Sequence, residues 1–72
     1  MTVDMTVKIV DGLDRTLATF GASGPVASAD RIGRGYVTRW NDQPVYPALH
    51  PVLTRADGFY VWDESGNLLT YG

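Results

Sequence analysis

Val3, Met5, Val7 and Ile9 alternate with Thr2, Asp4, Thr6 and Lys8 at the start of the chain. Successive side chains of a strand point to opposite faces, so this pattern predicts a half-buried strand with one solvated side. Asp11-Gly12 supplies a turn, and RTLATF (Arg15 to Phe20) returns as a second strand. The stretch GASGPVASADRIGRG then breaks the β pattern. Pro25 suits the first position of a helix, with Ser23 or Gly24 as its cap. Val26, Ala29 and Ile32 sit at helical spacing, and Gly33 can end the helix in the left-handed conformation. The spacing therefore predicts a helix from about Pro25 to Ile32, with an irregular loop as the alternative.

GYVTRW (Gly35 to Trp40) reads as a strand by its aromatic and β-branched content. NDQP is turn chemistry, and VYPALHPVLT carries Pro47 and Pro51, which forbid a central strand. That segment is expected as an extended connection or an edge strand. RADG turns the chain into a final hairpin.

In this hairpin, Glu64-Ser65-Gly66 fits a three-residue loop with glycine in the left-handed region. The implied register pairs Asp63 with Asn67, Val61 with Leu69 and Phe59 with Tyr71. One face then carries Phe59, Val61, Leu69 and Tyr71, and reads as core. The other carries Tyr60, Trp62, Leu68 and Thr70. Aromatic rings with polar tips suit a surface that stays partly wet, so this second face reads as a partner-binding surface. The rival reading covers Tyr60 and Trp62 with the helix or the Pro47–Pro51 segment as a second layer. Through Tyr60, Asp63, Gly66, Asn67 and Gly72 the stretch resembles one unit of the tyrosine–aspartate repeats of Rhs-type shell proteins. Trp62 stands where that pattern usually has a second tyrosine. The resemblance implies a hairpin; the unit occurs once, and a repeat architecture needs several copies.

Composition narrows the class. Seventy-two residues make a single small domain (1–72), and a chain of that size buries only about 60% of its unfolded surface. It has no cysteine, so neither disulfides nor thiolate metal sites can staple it, and its single histidine cannot form an imidazole cluster. Good packing, a homo-oligomer or a bound partner must make up the difference. The net charge of −2 argues against broad binding to nucleic acid or anionic membrane. No apolar run approaches the ~18 residues of a membrane span. The first ten residues lack the basic leader of a signal peptide, and a cytoplasmic location is expected.

Few residues carry chemistry. His50 lies between prolines with no orienting carboxylate or companion ligand in view, and reads as a loop histidine. Asp11, Asp14, Asp42, Asp57, Asp63 and Glu64 nearly all fall at expected turns, where carboxylates cap backbone amides. Residues 31–40, RIGRGYVTRW, are the suggestive segment. Residues 21–40 sum to +2, with Arg31, Arg34 and Arg39 against Asp30, while the remainder sums to −4. Arg31, Arg34, Tyr36, Arg39 and Trp40 together suit phosphate contact and base stacking, or an acidic protein partner.

The expected fold is a β-rich α+β domain: a small antiparallel sheet or partly open barrel of about five short strands with one short helix. The expected function is a non-enzymatic interaction protein that docks on another macromolecule, with a protein as the expected partner, and modulates it. Chains of this size include viral and mobile-element inhibitors of host enzymes. The alternative is a nucleotide or single-stranded nucleic-acid binding module using residues 31–40. No cofactor is expected.

Overall fold

The computed structural model describes residues 1–42 and 55–72. They form β1 (Val3–Val10), β2 (Thr16–Gly24), a 3-10 turn at Val26–Ser28, α1 (Ala29–Asn41), β3 (Gly58–Asp63) and β4 (Leu68–Tyr71). The four strands make one antiparallel sheet in the order β2-β1-β3-β4, with β2 and β4 at separate edges. The sheet is open rather than a barrel, and has four strands rather than about five. Together with α1 it makes a strand-rich α+β fold.

The alternation in β1 sets the two faces. Met5, Val7 and Ile9 are buried, while Asp4 and Thr6 are exposed. Val7 lies opposite Phe20 on β2 and Val61 on β3; Ile9 lies opposite Ala18 and Phe59. These residues form one hydrophobic core with Ala29 of α1. Residues expected to break the β pattern do not: β2 runs on through Gly21–Gly24 and keeps pairing with β1 as far as Val3. A strand already registered on its neighbour gains ladder hydrogen bonds that outweigh the low β-propensity of glycine and serine.

The helix departs most from expectation. It does not stop at Gly33, and the expected strand Gly35–Trp40 is its second half. Ala29, Ile32, Gly33, Tyr36, Val37 and Trp40 recur at intervals of three and four, one continuous apolar stripe facing the sheet. Tertiary packing along that stripe overrides the local β-propensity of GYVTRW. Pro25 is not a helical residue but the extended residue before the 3-10 turn, and neither Ser23 nor Gly24 caps α1. Gly33 is buried because the ring of Phe59 occupies the space where its Cβ would lie.

After the helix, the amide of Asn41 clasps the backbone of Ala56. Its Nδ2 donates to the Ala56 carbonyl at 2.9 Å, and its Oδ1 accepts from the Ala56 amide at 2.7 Å. Asn41 is the last residue of the helix, Asp42 begins a turn, and Gln43 and Pro44 lie outside the described residues. RADG likewise feeds β3 directly, with the Asp57 amide donating to the Val10 carbonyl. The VYPALHPVLT segment, with His50, lies outside the described residues.

Candidate functional site

No helix among the described residues packs on the sheet's second face. β3 projects Tyr60 and Trp62 there, opposite Lys8 and Thr6 of β1, because their neighbours Phe59 and Val61 take the core. β4 adds Tyr71 opposite Tyr60 and Leu68 opposite Trp62. The three rings form a row. Tyr60 stacks on Trp62 at 5.8 Å between centroids and on Tyr71 at 6.4 Å. The Lys8 ammonium lies 5.1 Å from the Tyr60 centroid and 5.3 Å from that of Trp62, within cation–π range of both. Tyr71 is 69% exposed and Leu68 48%.

The turns hold this row in place by the same device used twice. Asp11 Oδ1 accepts from the amides of Leu13 and Arg15, and Asp63 Oδ1 accepts from those of Ser65 and Asn67. In each turn the residue three after the aspartate is left-handed: Asp14 at φ 61° and Gly66 at φ 86°. The first hairpin therefore closes through three residues, Gly12 to Asp14, rather than through Asp11-Gly12 alone. Its geometry aims Asp14 at the aromatic row, where its Oδ1 accepts the Tyr60 hydroxyl at 2.9 Å. That hydrogen bond, reinforced by the carboxylate's charge, holds the Tyr60 phenol above the ordinary tyrosine range. Asp63 is held below the ordinary carboxylate range by the backbone and side-chain amides of Asn67, with help from Ser65 and Gly66.

Two residues change faces relative to the expected register. The turn pairs Asp63 with Asn67 as expected, but a bulge follows between Val61 and Trp62. One extra residue on a strand moves the side chains beyond it to the other face. Tyr71, expected in the core, joins the open face. Thr70, expected beside Trp62, lies opposite Val61 on the helix side. Phe59 exchanges both backbone hydrogen bonds with Gly72 instead of pairing with Tyr71. Tyr60, Trp62 and Leu68 stay where the sequence puts them, and α1 packs on the opposite face rather than over them. Lys8, Asp14 and Tyr71 are the members of this surface that sequence reasoning missed. The alternation of β1 signalled Lys8; a bulge has no reliable sequence signal.

The basic segment is divided by its helical form. Arg34 turns to one flank of α1, where its Nε pairs with Asp30 at 2.8 Å and its guanidinium lies 5.7 Å from the Phe59 centroid. Arg31 and Arg39 lie on the other flank, beside β2, with Tyr36 between them. Tyr36 is already occupied. Phe20 stacks on it at 4.6 Å, Arg39 lies 5.4 Å from its centroid, and its hydroxyl donates to the Gly21 carbonyl. Trp40 is half-buried against the core. Among the described residues no cluster of three histidines, cysteines or carboxylates could hold a metal ion. No helix among them is long and apolar enough to cross a membrane. No protein family, curated protein or solved structure matches the chain.

Proposed function

We propose that this protein is a non-enzymatic binding module that docks a protein partner on the open face of its sheet and regulates that partner by the contact. The observation that carries this reading is the row Tyr71–Tyr60–Trp62, stacked, bearing Lys8 and uncovered by any described element. Tyrosine and tryptophan are the residues that most often anchor protein interfaces. Pre-stacked rings lose little side-chain entropy on binding, which leaves more of the contact energy as affinity. Asp4 shares this face and Asp14 borders it, in a chain with net charge −2. The fitting partner surface therefore has an apolar centre and basic side chains around it. A protein surface suits this row better than nucleic acid, because phosphates would meet carboxylates here.

A nucleic-acid reading of α1 is weaker for a specific reason. Base stacking needs a free aromatic face, and the Tyr36 ring is already stacked on Phe20 and covered by the Arg39 guanidinium. Arg34 is committed to Asp30.

The test compares the tagged chain, a Trp62→Ala/Tyr71→Ala variant and an Arg31→Ala/Arg39→Ala variant in cross-linking and mass spectrometry from the host cell. A partner held by the unmodified chain and by the arginine variant should be lost from the aromatic variant. Removing an interface anchor of this kind costs about 2 kcal/mol or more of binding. The same proteins captured by the unmodified chain and the aromatic variant would overturn the reading.

A further inference from the structure

A second surface lies at the other edge of the molecule. Between the outer edge of β2, which pairs with no described strand but β1, and the adjacent flank of α1 runs a groove of about 430 Å³. Its strand side is Ala22 and Ser23; its helix side is Ile32, Gly35 and Tyr36, with Arg31 at one end and Arg39 at the other. Gly35 has nothing within 4 Å of its Cβ position, so the middle of the groove is open. Among the described residues, the carboxylates leave both end arginines without a salt bridge; the ion pair present is Arg34–Asp30.

The strand itself is unusual for an edge. Proteins guard long edge strands with charges, prolines or shortness, because an open row of N–H and C=O groups templates pairing with other chains. β4, at the opposite edge, is short, at four residues. β2 runs nine residues, TLATFGASG, with no charge and no proline. This long edge has neither charge nor proline, and its Gly21 carbonyl is already engaged by the Tyr36 hydroxyl. It lies beside a groove tipped with two arginines that make no salt bridge among the described residues; this is the arrangement that receives an added strand.

We infer that the β2 edge and the Arg31–Arg39 groove form a binding site for an extended acidic peptide, which pairs with β2 as a fifth strand and places carboxylates against the two arginines. The dimensions agree. Arg31 and Arg39 are eight residues apart on a helix, about 12 Å along its axis. Same-face residues four apart on an extended strand are separated by about 13 Å. Small residues at Gly21, Ala22 and Ser23 keep the edge accessible. A second copy of this chain is the poorer occupant. Two β2 edges paired symmetrically would bring Arg31 and Arg39 of both copies together, with no carboxylate on either β2 to offset them.

The site is tested with a phage-displayed library of random ten-residue peptides selected on the full chain. Enriched sequences should carry Asp or Glu at same-face spacing among β-forming residues. The enriched peptide, synthesised with a fluorescent label, should bind about tenfold more weakly to Arg31→Ala and to Arg39→Ala, the worth of one charge-assisted hydrogen bond each. Its binding should weaken with salt and be unaffected by Trp62→Ala/Tyr71→Ala, which separates this site from the aromatic face. N-methylation of one alternate set of peptide amides should abolish binding and of the other set leave it intact, since an added strand turns alternate N–H groups toward its neighbour. Three outcomes would overturn the inference: no acidic enrichment, equal tolerance of both methylated sets, or displacement of the arginine-dependent role to a single-stranded thymidine oligonucleotide that binds where no peptide does.

Discussion

A Cβ built on Gly33 would lie 2.2 Å from Cδ2 of Phe59, and one on Gly72 would lie 2.7 Å from Cε1 of the same ring. Phe59 is 3% exposed, so the ring has nowhere to retreat. Gly35, two residues along the same helix, meets nothing within 4 Å. The same substitution should therefore act with opposite sign at the two positions. Gly33→Ala forces the aromatic ring off its position and should destabilise the fold by about 1–3 kcal/mol, the usual range for overpacking. Gly35→Ala removes backbone freedom from the unfolded chain without strain and should stabilise by roughly 0.5–1 kcal/mol. Urea denaturation of the two variants reads both signs, and a shared loss of stability would contradict the slot around Phe59. Phe59→Leu in the Gly33→Ala background should recover part of the loss.

At the scale of elements, the two hairpins are tied by aspartates in the same place, and Asp63 gives that tie a pH signature. Its folded-state pKa is depressed, so its contribution is present above the ordinary aspartate value of about 3.9 and is lost as pH falls through the lower folded value. Asp63→Asn keeps the amide-accepting oxygen and removes the charge. The unmodified chain should melt above this variant at neutral pH, and the gap should close as pH drops below about 3.9. A gap independent of pH, measured by circular dichroism melts, would remove the charge from the account of this turn. Both turns were legible because aspartate and glycine positions encode local hydrogen bonding, which needs no partner from elsewhere. The core face of β1 was legible for the same kind of reason, since alternation is a property of the segment alone. Residues 35–40 were not: Tyr36, Val37 and Trp40 satisfy strand composition locally, and only the stripe beginning at Ala29 identifies their period as helical. Tyr71 and Thr70 were misplaced by a single bulge, a feature settled by how β4 packs on β3. The aromatic site was thus readable at Tyr60, Trp62 and Leu68, where alternation from the buried Phe59 and Val61 decides the face.

The whole molecule is organised around β1. Val10 pairs with Thr16, six residues on, and with Gly58, which arrives only after the helix and the connection have been made. Each hairpin is a local structure and closes on the order of 1–10 μs. Bringing β3 against β1 requires the intervening chain to close first, and non-local pairings of that kind govern folding rates. The open sheet with a first-hairpin strand at its centre therefore places the slow event at a defined seam, where Val7 faces Val61. Val7→Ala and Val61→Ala should slow refolding together in stopped-flow fluorescence. Leu68→Ala, at the outer edge, should leave the refolding limb unchanged and act, if at all, on unfolding. A mutant pair at the seam that accelerates unfolding alone would mean that the two hairpins join before the barrier is crossed only loosely, and that the sheet's centre is completed last.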